Sequence, residues 1–346
     1  MKKHLCVTIL LFLLVLISGC VDKNVVNTAK QTNAPLTIND YFPFKENTKY
    51  DYEGRGNEYA SYNVFVDYLT GNRIQLRSNN GGSETVKVLE NKDGILTILL
   101  TKGECYYRED FTQKPNSNGE ILLKEPLKIG TKWNISDDKK RYISNVGVKI
   151  NTPLGNYETL EVTTSAKDYK TLHYYAQNIG LVKTVFVLEA DEITSALSGI
   201  EKNIPLTQMV KFYYPNVNED KLYSTYKKLT FYTNDATKDI FEKAFKNLPK
   251  ENLGAVLGPN VKINSLYLNK DNIVYVDFPK EFLSEMNAGS GYEGMILQSI
   301  TNTLGEYYGV DKVIITIEGN PYSSGHFMME KGEYFKVDTN NSLELK

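Results

Sequence analysis

The acids best placed for chemistry are Asp277, near the end of Val274-Tyr275-Val276-Asp277-Phe278, and Glu293, in Gly289-Ser290-Gly291-Tyr292-Glu293. Two carboxylates about 5 to 9 Å apart would suit glycoside or peptidoglycan hydrolysis. A structural role competes at each position. Ser290 and Glu293 have capping-box spacing, with Ser290 accepting from the amide three residues on and Glu293 reaching back to the cap amide. Asp277 fits a strand-end turn. Gly289, Gly291 and Gly294 have the look of an anion nest at a helix start, yet Glu293 would repel a phosphate there and no lysine follows at P-loop spacing. His173 alternates within a strand without a recognisable nucleophile, so a hydrogen-bonded structural histidine is expected. His326 reads as a loop residue near Tyr322, and Cys105 as an inert thiol beside Tyr106 and Tyr107.

The remaining composition narrows the field. Of three cysteines and three histidines, only Cys105, His173 and His326 lie in the body of the chain beyond Cys20. That set builds no disulfide framework, structural zinc site or multi-histidine metal centre, and no cofactor is expected. A net charge of −2 over 346 residues argues against nucleic acid as a partner. Tyrosine is abundant, with 25 against 14 Phe and one Trp. Tyr59, Tyr62, Tyr106, Tyr107, Tyr174 and Tyr175 could present rings to glycan strands or a protein. Strand alternation splits adjacent pairs between faces, so at most half share one surface.

The first twenty residues give the location. Lys2 and Lys3 precede an apolar run, Leu5–Ile17, that would reach roughly 20 Å as a helix, short of a bilayer core of about 30 Å. This is an export signal, residues 1–19. Ile17-Ser18-Gly19-Cys20 resembles a bacterial lipobox, with Ile17 in place of the commoner leucine. The resemblance implies cleavage before Cys20 and a diacylglyceryl group on its sulfur, with membrane lipid as the first partner. Two acyl chains hold a protein firmly where one holds it marginally. Residues 20–36 then read as the lipidated cysteine and a flexible tether, placing the mature chain on the extracytoplasmic face of the membrane.

Residues 37–195 alternate at period two between Gly, Asn and Asp turns, the pattern of antiparallel hairpins. Strands are expected at 62–66, 73–77, 84–89 and 95–100, and again at 131–136, 142–150, 157–164, 172–175 and 181–188, in one antiparallel sheet or a sandwich. Pro43-Phe44-Lys45-Glu46-Asn47-Thr48-Lys49-Tyr50 is echoed by Pro126-Leu127-Lys128-Ile129-Gly130-Thr131-Lys132-Trp133. Asn47 and Gly130 both tolerate the left-handed conformation. The echo reads as one strand-entry turn used twice, in two related halves. Around 190–202 the pattern breaks.

Residues 206–323 change character. Strands at 209–214 and 222–233 precede a helix with Ile240, Phe241, Ala244, Phe245 and Leu248 on one face. A hairpin, 261–268 against 273–278, follows Gly258-Pro259, with a bulge expected between Ile263 and Leu266. A second helix begins at Ser290, buries Ile296, Ile300, Leu304 and Tyr307, and ends at Gly309. A last strand places Val313, Ile315 and Ile317 inward and closes at Gly319. The order ββ-α-ββ-α-β makes an α+β domain with two helices packed on one sheet. Residues 324–346 read as a C-terminal tail.

From about 208 to 323 these residues resemble the GerMN domain of bacterial sporulation and spore-germination lipoproteins. The likeness rests on Tyr213-Tyr214-Pro215, Gly258-Pro259, Val274–Phe278 with Asp277, and Gly289-Ser290 with Glu293. It continues through Thr303-Leu304, Gly309-Val310, Val313 and Glu318-Gly319. The family's strand usually ends Asp-Leu rather than Asp277-Phe278. The resemblance leaves the β-rich N-terminal domain uncovered. It implies a lipid-anchored or membrane-associated protein whose fold is similar to ring-building envelope motifs, with no catalytic residues to carry over. Gly258, Pro259, Asp277, Gly289, Ser290, Glu293, Thr303, Leu304 and Gly319 are then structural or interaction residues. The expected function is non-enzymatic support of sporulation or germination through contact with envelope or spore proteins. A peptidoglycan-binding module is the alternative, and a cell-wall hydrolase using Asp277 and Glu293 the third reading.

Overall fold

The computed structural model describes residues 35–113, 119–136 and 138–345; Cys20 and the expected export signal lie outside them. A single turn, α1 (Ile38–Tyr41), leads into six strands in succession: β1 (Thr48–Arg55), β2 (Tyr62–Thr70), β3 (Arg73–Asn79), β4 (Glu84–Lys92), β5 (Ile95–Lys102) and β6 (Glu120–Lys124). Six more repeat the pattern: β7 (Lys132–Ser136), β8 (Lys139–Thr152), β9 (Gly155–Ser165), β10 (Tyr169–Ala176), β11 (Gly180–Leu188) and β12 (Asp191–Lys202). Each half is an antiparallel meander, and the halves join where β1 pairs with β12. The opposite seam, β6 against β7, is bridged by side chains. Trp133 Nε1 and Arg141 Nη1 donate to the Ile121 carbonyl at 3.0 and 2.5 Å, and Arg141 Nη2 reaches Glu120 at 2.7 Å. The result is a near-closed sheet of twelve strands.

The repeated eight-residue phrase enters β1 in one half and β7 in the other. Its pivot positions, Asn47 and Gly130, both have positive φ, 49° and 90°. The following threonines each donate back to a carbonyl of the phrase, but at different positions, Thr48 to Glu46 two residues back and Thr131 to Pro126 five back. The sheet also runs past residue 195: the segment read as a break is β12, the strand that closes the halves together. Its parity is disguised by a bulge, since Tyr52 pairs with Leu197 but Asp51 with Gly199. Ile193 and Leu197 therefore share a parity that Ile200 leaves.

The remainder is mixed α and β. β13 (Leu206–Asn216) and β14 (Lys221–Phe231) form a long hairpin, followed by α2 (Thr237–Lys246), β15 (Ser265–Leu268), β16 (Val274–Phe278), α3 (Glu281–Met286), α4 (Ser290–Tyr308) and β17 (Lys312–Ile317). β16 and β17 pair in parallel, so the helices between them form the crossover. The strands expected as one sheet divide into two, because β13–β14 does not pair with β15–β17. Helix α4 lies along the free edge of β13, where Thr303 Oγ1 accepts from the Tyr213 amide at 3.1 Å. No bulge interrupts β15: its ladder starts at Ser265, and Val261 and Ile263 are buried ahead of it. β18 (Asn320–Pro321) turns back on β17, and residues beyond 323 join the sheets through β19 (Phe335–Lys336), paired with β17, and β20 (Ser342–Glu344), paired in parallel with β14.

Candidate functional site

Two concave sites emerge, one at the start of α4 and one inside the twelve-stranded sheet. At the first, the expected capping box is replaced by another arrangement. Gly289 is the N-cap residue, Ser290 is the first helical residue, and no side chain caps the helix. Glu293 turns instead to the segment beyond β18, accepting from the Tyr322 hydroxyl at 2.6 Å and pairing with His326 Nδ1 at 2.6 Å. Burial opposes its ionisation, but hydrogen bonds from Ser324, Tyr322 and His326 outweigh that and hold the carboxyl below its ordinary range. These donors, brought together by the fold, outcompete one cap amide. His326, read as a loop residue, is thus held by Glu293 at the lip of a cleft of about 480 Å³. Ser324 Oγ accepts from the amides of His326 and Phe327, each at 3.0 Å, so its hydroxyl is engaged in a turn.

Asp277 is committed as fully. Oδ1 accepts from Thr316 Oγ1 at 2.5 Å and from the Gly319 amide at 2.7 Å, while Oδ2 accepts from Asn264 at 2.9 Å. Gly319 has φ +79°, the left-handed conformation its turn requires. Asp277 and Glu293 share no hydrogen-bond partner; each ties together its own pair of segments. Gly258 allows close approach of α3: a Cβ there would lie 2.3 Å from Glu285 Oε2, which also accepts from the Asn260 amide across Pro259. Leu304 is fully buried, as is Thr303. Among the described residues, no group of three or more His, Cys, Asp or Glu is placed to hold a metal ion.

The second site is a cavity of about 400 Å³ lined mainly by one face of β1–β5. Directly opposed residues of antiparallel strands share a face, so the registers resolve the lining into rows. Ile74, Leu89 and Ile98 make an aliphatic floor. Val66, Leu76 and Lys87 form the next row, then Tyr50, Val64, Ser78 and Thr85. Tyr52 and Tyr62 follow, stacked with ring centroids 4.5 Å apart. Asn80 and Ser83 of the β3–β4 turn complete the polar end, beside the exposed Tyr59. From the other half, β10 contributes His173 and Tyr175.

His173 departs from expectation: its Nδ1 is buried without a hydrogen-bond partner. Burial, with Arg141 and Lys87 nearby, pushes the imidazole down to about 3, so the ring is neutral. The tyrosine pairs split as alternation requires. Tyr106 is exposed and Tyr107 buried; Tyr175 faces the cavity and Tyr174 packs in another cluster. Burial pushes the Cys105 thiol up to about 11, leaving it unreactive. Sequence reading missed the cavity, although the alternation 74, 76, 78 and 85, 87, 89 already marked its wall.

Comparisons agree with the second half of this description. The family model described as "Germane: Sporulation and spore germination" matches residues 211–323. No curated protein matches the chain. Among solved structures, a Bacteroides fragilis protein described as exported, with a YmcC-like fold, aligns at 14% identity over 47% of this chain and 99% of its own, with a TM-score of 0.30. The first GerMN domain of the sporulation protein GerM from Bacillus subtilis aligns at 26% identity over 33% of this chain and 86% of its own, with a TM-score of 0.26. A Parabacteroides distasonis protein described as a lipoprotein aligns at 14% identity over 46% and 98%, with a TM-score of 0.28. The family model leaves the twelve-stranded sheet unmatched and, over residues 211–323, the chain carries a GerMN-like domain.

Proposed function

We propose that this chain is a non-enzymatic, membrane-anchored envelope lipoprotein that supports sporulation or spore germination through contact with other proteins. The observation that carries this reading is the outer face of the β13–β14 hairpin. Met209 lies opposite Lys228 and Lys211 opposite Tyr226, so these four share one face. Met209 is 61% exposed and Tyr226 56%, with the exposed Tyr106 beside them. Methionine and tyrosine in the open are the residue types that interface cores favour. The motif acids Asp277 and Glu293 are meanwhile spent on holding segments together, which supports contact over catalysis. Anchorage through Cys20 rests on the lipobox resemblance and would keep this face outside the cytoplasm.

A photo-crosslinking residue at position 228 in sporulating cells tests the reading. A discrete protein adduct is expected, and Met209→Asp with Tyr226→Ala should weaken the contact at least about tenfold, as loss of interface anchors does. Absence of any adduct, or an adduct indifferent to both changes in folded protein, overturns it. Sedimentation of the lipid-free protein with purified cell wall would favour the peptidoglycan-binding alternative instead.

A further inference from the structure

The cavity in the twelve-stranded sheet is not accounted for by protein contact. It is not a sealed packing void, since Tyr59 and Lys87 of its lining are exposed and it opens to solvent. A space of about 400 Å³ falls instead in the range of small-molecule sites. Its chemistry is graded along one axis. Ile74, Leu89 and Ile98 offer only aliphatic surface at the floor, whereas Ser78, Thr85, Asn80 and Ser83 offer hydroxyl and amide groups at the β3–β4 end. Tyr50 shares the row of Ser78 and Thr85, and Tyr52 and Tyr62 lie beyond it, so the polar end is rimmed by tyrosines. A wholly apolar ligand would leave the polar end unmatched, and a sugar would leave the floor unmatched.

Charge adds direction. The lining includes Lys45 and Lys87 but no aspartate or glutamate. Lys87 stands directly opposite Leu76, between floor and polar end, and Lys45 is tied to the Asn178 carbonyl at the edge of the other half. An anion entering meets Lys87 and the Thr85 hydroxyl, beside Ser78, whose hydroxyl donates to the Thr85 carbonyl at 3.3 Å, and no carboxylate among the described lining residues competes.

We propose that this cavity binds a single-chain anionic amphiphile, its alkyl tail on Ile74, Leu89 and Ile98 and its acidic head near Lys87 and the hydroxyl groups of Ser78 and Thr85. A free fatty acid and a lysophospholipid share this chemistry. Binding requires no bond to form or break, and it is independent of the β13–β14 contact face.

The test uses residues 21–346, which leave out Cys20 and include the whole compact unit Leu36–Lys346. Titration with dansyl-labelled undecanoate is expected to give a saturable rise in fluorescence. Unlabelled dodecanoate should reverse it, and dodecyltrimethylammonium, with the same tail and opposite charge, should compete at least about tenfold less well. Leu76→Trp, which fills the middle of the cavity, and Lys87→Glu, which reverses the charge, should each lower probe affinity about tenfold. Ser78→Trp repeats the filling test nearer the polar end if Leu76→Trp does not fold. Lysophosphatidylglycerol competing better than dodecanoate assigns the head to a lipid; the reverse assigns a free acid. No saturable binding, equal competition by the cationic amphiphile, or undiminished binding in the folded variants overturns the proposal.

Discussion

His173 illustrates how a single ring registers its surroundings. Its neutral form is favoured because burial removes water from the imidazole and Arg141 and Lys87 add positive charge nearby, lowering its pKa from 6.5 to about 3. In the unfolded chain the ring takes up a proton near its ordinary value, whereas the folded chain resists. Between these two values the unfolded state binds more protons, so stability is intact above about pH 6.5 and falls as pH drops, by up to about 1.4 kcal/mol per pH unit. Carboxylates complicate the lower part of that window, so pH 5 to 6.5 is the informative stretch. Urea unfolding of wild type and His173→Phe should show the wild type losing more stability across it. Parallel curves would mean that His173 is solvated in the folded state. Taking the difference between the two proteins cancels the contributions common to both.

Between the strands and helices, the C-terminal segment shows how an apparent tail becomes structure. Asn302, buried on α4, donates to the Asp338 carbonyl at 2.6 Å and accepts from its amide at 2.9 Å, an exchange that pins the chain between β19 and β20. Gly305 lies beneath Val337, where a Cβ would come within 2.2 Å of its side chain. Removing both Asn302 bonds while leaving the backbone partners poorly solvated should cost about 1–3 kcal/mol. Asn302→Ala is therefore expected to speed amide exchange at residues 335–345 well before the rest of the molecule. Uniform protection across that segment would show that strand pairing alone holds it. These elements also mark how far the sequence could be read. The hairpins of β2–β5 and β8–β11, the face of α2 and the Gly309 stop of α4 follow from period, turn chemistry and a left-handed residue at φ 68°. β12 escaped because its bulge mixes parities, and β19 and β20 because strands of two and three residues carry no period. The Glu293–His326 pair escaped for another reason: its capping-box spacing is genuine, but donors 29 and 33 residues away decide where the carboxylate goes.

Across the whole molecule, the sheet and the α+β region share a core, so residues 36–346 form one compact unit. Val86 and Val88 of β4 and Cys105, Tyr107 and Phe111 after β5 belong to the same apolar cluster as Phe212, Phe241 and Ile300. Arg108 fastens this junction. Its guanidinium donates to the Asp67 carbonyl at 2.7 Å, the Tyr68 hydroxyl at 2.9 Å and the Tyr232 carbonyl at 3.0 Å, and also reaches the Asp235 carbonyl. Its amide donates to Tyr307 of α4, and its carbonyl accepts from Thr237 of α2. Asp67, paired with Arg77 at 3.0 Å, places a second buried charge beside it. Arg108→Met keeps the stem but strands these acceptors and should cost about 3–5 kcal/mol, as loss of one partner from a buried ionic group does. The change should also uncouple the two regions. Trp133, the sole tryptophan, reports the sheet from its seam, whereas helical circular dichroism reports mainly α2, α3 and α4. Wild type is expected to lose both signals in one denaturant transition, and Arg108→Met in two, because coincident probes are the mark of cooperative unfolding. If both signals still fall together in the variant, the shared apolar cluster alone couples the regions and Arg108 only adds stability.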